Sequence, residues 1–117
     1  MKNYKDILYS EIGKRIKSQR LELNMNQTSL AKALNSNELK ISRASISNIE
    51  VGRHHIPLHV LYEIAQVLRL EINDLLPNYE ELVNIVSSNL DVYSNIIEKK
   101  VLKDNTQKNV KELIKNL

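Results

Sequence analysis

The sequence predicts an all-α protein: a five-helix bundle over residues 1–77, followed by additional helices over 78–117. Three observations predict it. Apolar residues recur three and four apart along almost the whole chain, which is the period of a helix with one buried face. Only two Gly and two Pro occur in 117 residues, too few for the turns of an all-β fold. Helix-capping residues punctuate the periodic runs at the places where helices should start and stop.

The first helix is expected over residues 5–23, with Ile7, Leu8, Ile12, Ile16 and Leu23 at helical spacing. Gly13 costs about 1 kcal/mol inside a helix relative to Ala, and marks either a break or a close contact. After the polar interruption Asn24-Met25-Asn26, Asn26 is a good N-cap for a short helix from Gln27 to Leu34, with Leu30, Ala31 and Leu34 inside. Asn35-Ser36-Asn37 is rich in turn formers.

Ser42 caps a third helix, expected over 43–51, whose Ile46 and Ile49 face the core. Gly52 suits the position after a helix end, where positive φ is needed. Arg53-His54-His55-Ile56 then forms a loop. Pro57 is expected at the first position of the fourth helix, where its missing N–H costs nothing. Leu58, Leu61, Ile64, Ala65 and Leu68 give that helix its apolar stripe, and a short turn over Ile72–Leu76 ends at Pro77.

Residues 78–117 carry three further stripes: Tyr79, Leu82, Val83 and Val86; Leu90, Tyr93, Ile97 and Val101; and Val110, Leu113, Ile114 and Leu117. Two or three helices are expected, broken near Ser88-Asn89 and Asp104-Asn105.

Composition narrows the function. Residues 1–77 hold 11 Lys and Arg against 8 Asp and Glu, and residues 78–117 hold 6 against 6, so the net +3 lies in the first part. A mild basic bias is weak support for a polyanionic partner and equally fits an ordinary solvated surface. Without cysteine there is no disulfide or thiolate metal site. The polar start has no apolar run behind it, so a cytoplasmic location is expected, with no membrane partner. His54, His55 and His59 lack metal-ligand spacing, because Pro57 interrupts any helix joining the last two. Glu80 and Glu81, adjacent in sequence, point different ways on a helix. No catalytic constellation, metal or cofactor is expected, and the chain reads as a non-enzyme.

Three ordered elements carry the functional signal: Gln-x-x-Leu-Ala at 27–31, Ser-Arg-x-x-Ile-Ser-x-Ile-Glu-x-Gly at 42–52, and Leu-x-x-Ile-Ala-x-x-Leu at 61–68. Together they resemble the phage-repressor (Xre- or Cro-like) helix-turn-helix family of transcriptional regulators, over about residues 8–77. The resemblance implies a repressor-like DNA-binding domain at 1–77. Its second and third helices form the motif, and the third lies in the major groove of double-stranded DNA. Arg43, Ala44, Ser47 and Asn48 are then the expected base readers. A guanidinium donates two parallel bonds to guanine, an Asn pairs with adenine, and a methyl touches thymine. For Arg43 the alternative is a phosphate contact, and for Asn48 a solvated or intramolecular polar role.

Gln27, Ser42, Lys40, Arg53 and His54 are expected at phosphates, with Gln27 also buttressing the reading helix. By the same resemblance, Arg20 and Glu50 form a structural ion pair between the first and third helices. One departure stands out. The family's turn between the motif helices is short, whereas here about five extra residues, Asn35 to Leu39, intervene. They either loop outward or lengthen the second helix.

The stripes of 78–117 must be buried against something. A homodimer reading a pseudo-palindromic operator is the economical expectation, with Ile96, Ile97 and Leu102 as candidate contacts. Completing the monomer's own core is the alternative. The competing functional reading is an antitoxin-like or other protein-interaction module that uses these C-terminal helices.

Overall fold

The computed structural model describes residues 3–36, 38–100 and 114, and for 90–100 the backbone alone. Among the described residues every regular element is a helix. The chain divides into two units, Met1–Asn78 and Tyr79–Leu117.

The first unit contains α1 (Tyr4–Glu22), α2 (Gln27–Leu34), α3 (Arg43–Glu50), α4 (Leu58–Val67) and α5 (Ile72–Leu75). α3 packs against α1 and α2, α4 against α2 and α5, and α5 against α1. The core between them is aliphatic. Ile16, Ile46, Ile64, Leu30, Leu68 and Leu75 are fully buried, joined by Ile12, Leu34, Ile41, Ile49, Val60 and Leu61.

Side-chain caps start the first three helices. Asn3 accepts from the Asp6 N–H, Asn26 from Ser29 and Ser42 from Ser45, at 2.9, 2.7 and 3.1 Å. Each satisfies one of the N–H groups a helix start leaves open. α1, α3 and α4 end alike. Asn24 (φ 56°), Gly52 (φ 81°) and Arg69 (φ 61°) adopt left-handed backbone, and in each case that residue's N–H and the N–H of the residue after it donate back to carbonyls of the last turn. This is the Schellman closure. Gly52 and Asn24 are residue types that favour this conformation, and Arg69 is not.

α1 runs unbroken through Gly13, which marks a contact rather than a kink. A Cβ there would collide with the Ile49 carbonyl oxygen and lie 2.6 Å from that of Glu50. The missing side chain therefore lets α1 lie directly on the last turn of α3.

Several boundaries differ slightly from expectation: α1 runs from Tyr4 to Glu22 rather than over 5–23, and α5 ends at Leu75 rather than Leu76. Pro57 is the N-cap of α4 rather than its first helical residue, because its ψ of 143° is extended; its carbonyl still accepts from Val60 and Leu61. α3 ends at Glu50, with Val51 as C-cap.

In the second unit, α6 (Tyr79–Lys100) corrects the expected break at Ser88-Asn89. Neither Gly nor Pro occurs in it, and the step from Val86 to Leu90 keeps the helical phase. Asn89 bonds within the helix, its amide donating to the Ile85 carbonyl at 2.8 Å. Leu82 and Val86 are buried, Val83 is half-buried and Tyr79 is exposed. The side chains of Ile96 and Ile97 lie outside the described residues. So do Leu102, the expected break at 104–105 and all of the last stripe except the helical Ile114.

Candidate nucleic-acid interface

α3 owes its orientation to its own sequence. Ile46 and Ile49 sit three apart and are buried, and Glu50 is buried beside them. At roughly 100° per residue, positions 44, 47 and 48 turn away from that buried face, while Arg43 lies seven residues before Glu50 on the same side and is exposed as the first residue of the helix. Ala44 is accordingly exposed, and Ser47 and Asn48 half-buried. Ser42 is exposed at the N-cap, with its hydroxyl engaged by the Ser45 N–H and hydroxyl, both at 3.1 Å. Ala44, Ser47 and Asn48 thus share the outward face, and Arg43 is exposed at the start of the helix.

The expected phosphate ligands surround this face. Lys40 is exposed two residues before the N-cap. Arg53 and His54 are exposed just beyond the helix, where the Arg53 N–H donates to the Asn48 carbonyl at 2.9 Å. Gln27 opens α2 and is half-buried. Its amide donates to Glu50 Oε1 at 3.1 Å, tying the start of α2 to the end of α3.

That bond belongs to a larger network. Arg20 and Glu50 are each 5% exposed. Arg20 Nε donates to Glu50 Oε2 at 2.6 Å and Nη2 to Oε1 at 2.9 Å, a two-pronged pairing. Arg20 Nη1 donates to the Met25 carbonyl at 2.7 Å. One buried ion pair therefore locks the α1–α2 turn, the first residue of α2 and the last of α3. The hydrogen bond to Glu50 raises the Arg20 pKa; burial opposes this and the attraction between the charges reinforces it.

The long connection between α2 and α3 loops outward, since α2 ends at Leu34. It is tightly bonded. Asn35 Oδ1 accepts from the Ile41 N–H at 2.8 Å, the Ser36 N–H donates to the Leu39 carbonyl at 2.8 Å, and Ser36 Oγ accepts from Glu38 and Leu39. Leu39 packs against the core and Ile41 is buried within it. The extra residues form a closed side loop whose exit returns α3 to its place.

Sequence reasoning missed the support beneath the post-α3 loop. Tyr9 of α1 stacks on His55, ring centroids 4.4 Å apart and planes 21° from parallel. Gly52 sits on Ser10, where a Cβ would lie 2.7 Å from the Ser10 hydroxyl oxygen. Neither pairing leaves a local signal, because the partners lie more than forty residues apart. Among the described residues no group of three or more His, Cys, Asp or Glu could hold a metal, and no helix is long and apolar enough to cross a membrane.

No curated protein and no solved structure matches the chain. A family model described as helix-turn-helix matches residues 16–75, just over half of the 117. The matched span holds both motif helices, the Arg20–Glu50 network and the α4–α5 support. The chain belongs to this helix-turn-helix family, the Cro/C1-type, Xre-like group of DNA-binding transcription regulators.

Proposed function

We propose that the protein is a transcriptional repressor that binds a pseudo-palindromic operator as a homodimer and reads each half-site in the major groove with α3. The exposed Arg43 at the start of α3 carries this reading, together with the outward face of Ala44, Ser47 and Asn48 set opposite the buried Ile46 and Ile49. Arg43 reads a guanine through O6 and N7, worth about 1–3 kcal/mol of discrimination. Asn48 pairs with an adenine, and the Ala44 methyl meets a thymine.

Ser42, Lys40, Arg53 and His54 hold flanking phosphates. One amide hydrogen of Gln27 is committed to Glu50, leaving the other for a phosphate at the start of α2. The 1–77 domain binds DNA, and the segment 78–117, which includes α6, pairs two copies. Two α3 helices are then placed about one helical turn of DNA apart, or a multiple of it. Bound over a promoter, such a dimer represses by occlusion.

Selection from a random-sequence duplex pool tests this. The expected yield is an inverted repeat with a guanine in each half-site, bound by two copies of the chain as judged by sedimentation. A pool from which nothing is enriched would overturn the reading and turn attention to a protein partner of the C-terminal helices.

A further inference from the structure

The loop after α3 presents Arg53 and His54 to solvent, yet its course is fixed at three points. At its start Gly52, in left-handed backbone, lies against Ser10 of α1. At its end Ile56 is buried in the core. Between them the exposed His55 ring lies on the half-buried Tyr9 ring at 4.4 Å, nearly parallel. Tyr9 itself packs against the core.

A loop with two long polar side chains ordinarily samples many conformations, and ordering it on binding costs affinity. Here the ordering is supplied beforehand by an aromatic ring on a different helix. Aromatic pairs of this kind add stabilisation beyond the area they bury.

We infer that Tyr9 is a positioning residue for DNA binding: by stacking on His55 it holds the Arg53–His54 loop in the conformation that meets a phosphate. This rests on the DNA-reading role of α3 proposed above. Tyr9 touches no DNA in this account and acts only through the loop. Its effect is therefore confined to the electrostatic part of binding and leaves base preference alone.

The test is fluorescence anisotropy on the labelled duplex enriched by the selection, across a salt series, for wild type, Tyr9→Leu, Tyr9→Phe, Arg53→Ala and the Tyr9→Leu/Arg53→Ala double variant. Each phosphate contact contributes about 0.9 to the slope of log affinity against log salt. Tyr9→Leu keeps an apolar side chain against the core but loses the ring. Two copies bind this duplex, so the slope is expected to fall by about 1.8, and the affinity drops roughly 12-fold less than wild type's between 50 and 200 mM salt. Tyr9→Phe retains the stack and the wild-type slope. In the Arg53→Ala background Tyr9→Leu loses only what His54 contributes, so its effect is smaller than in the wild-type background, as two residues acting through one loop require.

An unmoved slope in Tyr9→Leu beside normal wild-type binding would overturn this inference alone, as would full additivity with Arg53→Ala. Wild type that prefers no duplex would overturn the α3 reading, and the inference with it. Thermal melts of each variant separate lost folding from lost positioning, because a merely destabilised but folded domain keeps the wild-type slope.

Discussion

Replacing Glu50 by Gln probes the bond network that holds the motif together. The Glu50 carboxylate accepts from Arg20 Nε, Arg20 Nη2 and the Gln27 amide, and both members of the ion pair are 5% exposed. Glutamine keeps the shape but offers one carbonyl oxygen and an amide that donates. At least one N–H then faces another N–H, and the Arg20 charge stays buried without its counter-charge. Breaking a buried pair in this way costs about 3–5 kcal/mol, against about 0–1 for a solvent-screened surface bridge. For a domain of this size each kcal/mol moves Tm by about 4–8 °C, so Glu50→Gln is expected to melt roughly 12–40 °C below wild type. Circular dichroism melts and urea titration read this directly.

The double variant Arg20→Met/Glu50→Leu removes both charges and should recover part of the loss. Full recovery is not expected, because the Met25 carbonyl and Gln27 amide lose their partners at about 1–3 kcal/mol each. A loss under about 1 kcal/mol in Glu50→Gln would refute the reasoning and show that water screens the pair. Because the folded-state pKa of Arg20 is raised, this stabilisation is complete below arginine's ordinary value and is lost only as pH climbs past the raised one. Wild type should therefore keep the pair's contribution through neutral and mildly alkaline pH.

Three further substitutions test local claims. Gly13→Ala drives a methyl into the Ile49 and Glu50 carbonyls and should cost about 1–3 kcal/mol by urea titration; a neutral result would mean α1 can move off α3. Asn35→Ala leaves the Ile41 N–H without its side-chain acceptor and should cost about 1–3 kcal/mol, with an m-value equal to wild type's. Arg69→Gly relieves a left-handed backbone position and should stabilise the domain by up to about 1 kcal/mol, measured the same way.

The five helices of the first unit were legible from their apolar residues at helical spacing, helped at the second, third and fourth by the local start signals Asn26, Ser42 and Pro57. Ser42 and Asn26 cap where they stand, and Ile46 with Ile49 alone decide which way α3 faces. The outward set of Ala44, Ser47 and Asn48 follows from that same spacing, and Arg43 is exposed because it opens the helix. What stayed hidden depends on distant partners. The Tyr9–His55 stack and the Gly52–Ser10 contact exist only once α1 and the post-α3 loop are brought together. Asn35 looked like a turn former, but its bond to Ile41 is what closes the side loop. The break at Ser88-Asn89 was misjudged because Ser and Asn have modest helix propensity. Within α6 the unbroken apolar phase and the Asn89–Ile85 bond prevail.

The central claim is that α3 reads bases through Arg43. Fluorescence anisotropy would compare wild type with Arg43→Ala on a duplex from the gene's own upstream region and on a scrambled duplex. Wild type is expected to prefer the upstream duplex and to weaken steeply with salt. Arg43→Ala is expected to melt with wild type and still bind both duplexes weakly, but to lose about 2–6 kcal/mol of the preference, about 1–3 for each half-site of the operator. A variant that keeps the full preference would contradict base reading by Arg43 and return that residue to a phosphate contact.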